Sequence, residues 1–225
     1  MTTAITAALF ALHTTLFDRE AAFRGVAEDF HAEFLASSTP VGRDEAVALM
    51  VRWDDDGYSN RREFREAVLA QWPEAGLDID ALSAWYRVAM DRRSVPDVSV
   101  NDFLAKLNRA GLPWGIVTNG NGPNQRNKCR LAGLEELAGF IIASEEQGYS
   151  KPDPRIYGDA MAALGLASPE GVLFVGDNPV TDIDGAARFG MRTAWVSRGR
   201  AFPAELRAPD LVIEQVTELR GALGV

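Results

Sequence analysis

Strand-length apolar runs, set far apart and separated by helical patterns, constrain this chain more than any other feature. The runs are "AALFAL" (7–12), "PWGIVTN" (113–119), "GFIIAS" (139–144), "GVLFVGD" (171–177), "RTAWVS" (192–197) and "DLVI" (210–213). Each is short, carries β-branched or aromatic residues and is bounded by turn residues, which is the signature of a strand. Between them, "SVNDFLAKLNRAG" (99–111) places Phe103, Leu104 and Leu107 at helical spacing, with Gly111 as its C-terminal stop. "DPRIYGDAMAALGL" (153–166) sets Ile156, Ala160, Ala163 and Leu164 on one side, and "TDIDGAARFG" (181–190) reads as a short helix closed by Gly190. Strand and helix alternate in this way from about residue 97 to the end. Such alternation predicts a parallel sheet with crossover helices. Near-continuous runs such as "VLFV" fit a sheet buried on both faces.

Residues 19–95 break the alternation. "REAAFRGVAEDFHAEFLAS" aligns Phe23, Val26, Phe30 and Phe34 on one stripe, and "SNRREFREAVLAQW" and "IDALSAWYRVAMDR" repeat the pattern. This is a block of roughly four helices inserted after the first strand. Trp53, Trp72 and Trp85 read as its core or as its interface with the sheet domain, and His31 as a partly exposed helical residue. "WDDDG" (53–57) lacks the spacing of a calcium loop and reads as a solvated turn. The expected domains are therefore 1–18 with 96–225, an α/β core, and 19–95, a helical insertion. With 225 residues and 47% apolar content, the chain can build a core of that size.

Composition narrows the partners. A formal charge of −9 argues against a nucleic-acid surface. No run reaches membrane-spanning length, and the first apolar stretch lacks a charged leader and breaks at His13, so it reads as a strand. The single cysteine, Cys129, cannot form an internal disulfide and reads as a small buried hydrophobe. The expectation is a cytoplasmic protein, monomer or homodimer, with a small-molecule partner.

In open parallel sheets, ligands bind outside the carboxyl ends of the strands. Those ends hold Ala11 and His13, Thr118 and Asn119, and Asp177; Lys151 follows in "GYSKPDP" and Asp182 in "VGDNPVTDIDGA". The Thr118 hydroxyl and the N–H groups of Asn119 and Gly120 can hold an oxyanion. Lys151 can neutralise a phosphoryl group. Asp177 and Asp182, five residues apart, are hard oxygen donors suited to Mg²⁺.

These pieces, in this order, resemble the haloacid dehalogenase superfamily. "VTNG" resembles its second motif, "SKPDPRIY" its third and "VGDNPVTDIDGA" its fourth, and the match covers nearly the whole chain. The resemblance implies a Rossmann-like, doubly wound parallel α/β sheet with an inserted α-helical cap that closes over the site and selects substrate. The layout is most similar to the small-molecule phosphatases, including nucleotidase and phosphoglycolate-phosphatase types. In the family's first motif, one aspartate attacks phosphorus and binds Mg²⁺, and a second acts as acid and base. "ALHTTLFDRE" aligns with this motif without a gap, and it puts Ala11 at the first position and His13 at the second. A methyl group can neither attack phosphorus nor bind a metal.

The pocket thus loses two carboxylates and keeps Lys151, so Mg²⁺ is expected to bind weakly and an anion to need it less. His13 can serve as an acid or base, as a phosphorus nucleophile, as a ligand contact or as filler, and Asp18 reads as a helix N-cap. The expected function is that of a phosphatase-like protein without its nucleophile, a pseudo-phosphatase, binding a phosphorylated or anionic small molecule between core and cap. It would act either as a non-hydrolytic enzyme using His13 and Lys151 or as an inactive binder. The alternative is a Mg²⁺-dependent small-molecule phosphohydrolase with a non-standard nucleophile.

Overall fold

The structure, a computed structural model, describes residues 4–225, save the Asp56 side chain. The first three residues of the expected core segment therefore lie outside the described residues. The chain divides into two compact units, Met1–Phe17 with Pro96–Val225, and Asp18–Val95.

The first unit is a sheet of β1 (Ala7–Phe10), β2 (Trp114–Thr118), β3 (Ile141–Ala143), β4 (Val172–Gly176), β5 (Arg192–Val196) and β6 (Leu211–Ile213). Every pairing is parallel, and the order across the sheet is β3-β2-β1-β4-β5-β6. This is the doubly wound α/β arrangement, in which connections leave β1 and β4 in opposite directions. Every residue of β1, β2 and β4 is buried, which explains why their sequences do not alternate.

The helices of this unit are α5 (Val98–Arg109), α6 (Gly122–Leu131), α7 (Ser144–Gln147), α8 (Pro154–Leu164), α9 (Gly185–Phe189) and α10 (Arg220–Leu223). Adjacent β1 residues serve opposite faces, as a period of two requires. Leu9 packs in a cluster with Val117, Phe174 and Ile156 and Tyr157 of α8. Phe10 meets Trp114 and Phe103 of α5 edge-on, at 5.7 and 6.4 Å. The N-termini are capped as the sequence requires: the Asp97 carboxylate accepts from Ser99 and Val100 N–H, and the Asp153 carboxylate from Arg155 N–H. "TDIDGAARFG" differs from expectation. It is a π-helical turn, Pro179–Asp184, followed by the short α9. The Asn178 side chain accepts from both Val180 and Thr181 N–H at 2.9 Å, and the Tyr157 hydroxyl donates to the Thr181 carbonyl. The Asn178 bonds satisfy N–H groups that a helix start leaves unpaired, and the Tyr157 bond satisfies the Thr181 carbonyl.

The second unit is helical: α1 (Arg19–Phe30), α2 (Arg43–Asp54), α3 (Arg61–Gln71) and α4 (Ile79–Arg93). Asp18 is the N-cap of α1, its carboxylate accepting from Ala21 N–H at 3.0 Å. Phe30 is fully buried and touches Phe34, Trp72 and Trp85, and Trp53 lies 5.6 Å from Trp72. His31 is half-buried, with Nε2 3.1 Å from the Val41 carbonyl. One expectation is overturned. Asp54 of "WDDDG" is not solvated: it is 5% exposed and receives both Arg19 Nη atoms, at 2.5 and 2.8 Å. A spacing rule along the chain cannot see a partner 35 residues away. Asp56 of the same run has no described side chain. No helix among the described residues is long and apolar enough to cross a membrane.

Candidate functional site

The switch point lies between β1 and β4, so Ala11 and Asp177 at their carboxyl ends flank the crevice where such sheets bind ligands. Ala11 stays in register beyond β1, its N–H donating to the Val175 carbonyl at 2.8 Å, and it is 5% exposed. The following turn is tight. Thr14 has φ 60°, its N–H reaches the Phe17 carbonyl at 2.8 Å, and His13 bridges to Phe17. A non-glycine residue in that region is strained, and such strain gathers at functional sites.

His13 is half-buried, and its Nε2 lies 3.0 Å from Lys128 Nζ on α6. An ammonium group only donates, so the imidazole accepts at Nε2 and carries its proton on Nδ1. Lys128 was not a sequence candidate. It lies mid-helix beside Cys129, and no spacing marks it.

Gly120 takes a role other than the expected one, and the Asn119 side chain has a role of its own. The Asn119 amide bonds the Lys151 backbone twice, donating to its carbonyl and accepting from its N–H, each at 2.9 Å. The Gly120 N–H, expected to hold an oxyanion, donates to Ser144 Oγ at 2.9 Å. Gly120 has φ 140°, and a side chain there would strike the Gln125 amide. These two residues therefore build the loop that positions Lys151. Thr118 ends β2, 2% exposed, paired with Ala143.

Lys151 is 5% exposed. Its Nζ donates to the Val117 carbonyl at 2.8 Å and to Asp182 Oδ1 at 2.6 Å. Asp182 Oδ2 accepts from Asn178 N–H at 3.0 Å. Gly176 makes room for this carboxylate, since a side chain at that position would overlap it. Asp177 is 5% exposed; its Oδ2 is 3.4 Å from Arg200 Nη2, and its carbonyl accepts from Trp195 Nε1 at 2.9 Å. A fourth cation, Arg198, donates from Nε to the Thr14 carbonyl at 3.2 Å. Burial, with Asp182 and Asp184 nearby, holds the Tyr157 phenol protonated far above its usual range. Arg198 and Arg200 directly follow β5, so the strand-end rule applied to "RTAWVS" would have found them.

Magnesium is what the sequence resemblance implies, and Asp177 and Asp182 are the residues that would hold it. The donor set does not fit. Each carboxylate already faces a protein cation, and the third position is a methyl group. Among the described residues no cluster of three or more His, Cys, Asp or Glu side chains is disposed to hold a metal ion.

A family model described as haloacid dehalogenase-like hydrolase matches residues 4–190. The chain belongs to this family. It is 33% identical over 200 residues to a phosphoserine phosphatase of Thermus thermophilus, covering 84% of this chain and 78% of the relative. It is 34% identical over 149 residues to an (S)-2-haloacid dehalogenase of Pseudomonas sp. strain YL, covering 66% and 62%. Among solved structures, a Bacillus subtilis HAD-hydrolase, YfnB, determined with magnesium, superposes with a TM-score of 0.78. That pair is 23% identical and covers 99% of this chain and all of the other, a likeness of fold. Haloacid dehalogenase-family relatives of this chain thus include both phosphatases and dehalogenases.

Proposed function

We propose that this chain binds a phosphorylated or otherwise anionic small molecule at the carboxyl ends of β1, β2 and β4, without forming an aspartyl-phosphate. The single observation that carries the reading is Ala11. It follows β1, its N–H held by the Val175 carbonyl of β4, at the position where the family's attacking carboxylate is expected, and its methyl group cannot attack phosphorus. The relatives support the ligand class: phosphoserine and a 2-haloacid are both small anions. Thr118 and Lys151 remain the proposed ligand contacts, with Asn119 and Gly120 supporting Lys151. A single buried cysteine fits a reducing compartment such as the cytoplasm.

A second form of the reading is favoured by the Lys128–His13 pair. An imidazole held in one tautomer by a lysine can take up a proton at Nε2 when the lysine turns away, so His13 could serve a non-hydrolytic proton transfer.

The test is hydrolysis of p-nitrophenyl phosphate with Mg²⁺, by the native chain and by the double variant Ala11→Asp with His13→Asp. The native chain is expected to be silent and the double variant to gain turnover. Ordinary turnover by the native chain defeats the proposal and leaves a phosphohydrolase with another nucleophile. His13→Ala then separates the two forms, because a binder retains phosphate affinity and an acid–base enzyme loses its reaction.

A further inference from the structure

We infer that the Arg200 guanidinium takes the place of a divalent cation at this site, so that the anionic ligand is held by fixed protein cations without a metal ion. The inference rests on the anion-site reading above and adds how the charge is balanced.

Arg200 is fixed in position. Its Nε donates to the Ser197 carbonyl at 3.0 Å, and its Nη2 faces the carbonyls of Val196 and Asp177 at 3.3 and 3.2 Å and Asp177 Oδ2 at 3.4 Å. The loop carrying it is also tied down. Arg200 N–H reaches the Ser197 carbonyl at 3.0 Å, and Glu214 accepts from Ser197 Oγ at 2.5 Å and from Gly199 N–H at 3.0 Å. Arg198 and Gly199 turn the chain with φ 46° and 73°. A left-handed residue that is not glycine is costly, and the turn here accompanies Arg198 at the Thr14 carbonyl and Arg200 at Asp177.

The charge balance follows. Lys151 answers Asp182 and Arg200 answers Asp177. A magnesium ion would have to displace the guanidinium from Asp177 and coordinate with one carboxylate fewer. An oxyanion meets the reverse conditions. Arg200 keeps 34% of its side chain open and, among the described residues, has no partner on Nη1, so one edge of its donor fork is available to a phosphate or carboxylate oxygen.

The test is titration of the full chain with inorganic phosphate by calorimetry, in excess EDTA and in excess Mg²⁺. The two affinities are expected to agree within about twofold. Arg200→Gln, which keeps hydrogen bonding and removes charge, should weaken binding in EDTA by roughly tenfold and recover part of it with Mg²⁺. Arg200→Lys, which keeps the charge, should retain metal-independent binding, and circular dichroism verifies that both variants fold. Native binding that requires Mg²⁺ overturns the inference while leaving the anion reading intact, as does an Arg200→Gln variant that binds in EDTA as the native chain does. Absence of phosphate binding in both buffers overturns the anion reading and the inference together. Mn²⁺ titration read by electron paramagnetic resonance is an independent check: uptake is expected in Arg200→Gln and not in the native chain, and uptake by the native chain at Asp177 refutes the substitution of one cation for the other.

Discussion

Lys151 and Asp182 form the contact on which the site's order depends. Their side chains are 4% and 3% exposed and 2.6 Å apart, and each has a second backbone partner. Burying two charges is expensive, so such a pair adds little net stability, yet removing one member leaves an uncompensated charge. Asp182→Ala should therefore destabilise the chain by about 3–5 kcal/mol. The double change Lys151→Met with Asp182→Leu should cost clearly less than the two single changes added together. Urea unfolding of the four chains closes the cycle, and strictly additive losses would show that the two groups do not interact. At this scale the sequence was informative for residues that end a strand, because the parallel-sheet rule points to them directly. Asp177 is marked in that way, whereas Lys151 and Asp182 lie in the loop "GYSKPDP" and in "VGDNPVTDIDGA", beyond the strand ends. Gly120 serves another purpose than the one its place suggests, since a sequence cannot tell an open N–H from one already donated to Ser144.

α6 shows what an element adds beyond its residues. Two consecutive side chains on it do opposite work: Lys128 meets His13, and Cys129 is fully buried. Burial pushes the Cys129 thiol up to about 12, whereas the unfolded thiol ionises near 9.0. Between those values the unfolded chain has released a proton that the folded chain still holds. Stability from this group is thus complete below about pH 9 and falls as the pH rises toward 12. The Tyr157 phenol, raised by burial and by Asp182, works in the same direction. Cys129→Ala should remove the thiol's share. The unfolding free energy of the native chain minus that of the variant should be flat at neutral pH and smaller by roughly 1 kcal/mol at pH 10. A difference independent of pH would mean that Cys129 is not shielded. Elements themselves were legible wherever a run was long and its period clear, as with β4 and α8. The π-helical turn at Pro179–Asp184 was not, because it depends on Asn178 and on the Tyr157 hydroxyl from another helix. Lys128 also escaped the sequence for the same kind of reason, since its role depends on how α6 is rotated about its axis. Arg200 did not need to, because it follows the end of β5, where the strand-end rule points.

At the scale of the whole molecule, a chain of formal charge −9 sets Lys151 and Arg200 beside Asp182 and Asp177, with Lys128 at His13 and Arg198 at Thr14. These two facts oppose one another for an approaching anion, and ionic strength decides which dominates. At ~0.01 M salt the screening length is about 30 Å, so the ligand feels the entire negative chain. At ~0.15 M it is about 8 Å, which removes most of the distant repulsion and spares the cations within reach of the ligand. At ~1 M it is about 3 Å, and even contacting charges are weakened. Phosphate affinity should therefore rise from the lowest salt to the middle of this range and fall at the top, in contrast to a basic protein, whose affinity for anions falls throughout. Titration calorimetry in graded potassium chloride, with EDTA present throughout, measures the profile. A steady decline from the lowest salt would mean that the local cations already dominate the field at every distance. An unbroken rise would mean that they do not hold the anion at all. Only the intermediate maximum agrees with a small fixed cluster of positive groups doing the binding inside an acidic chain.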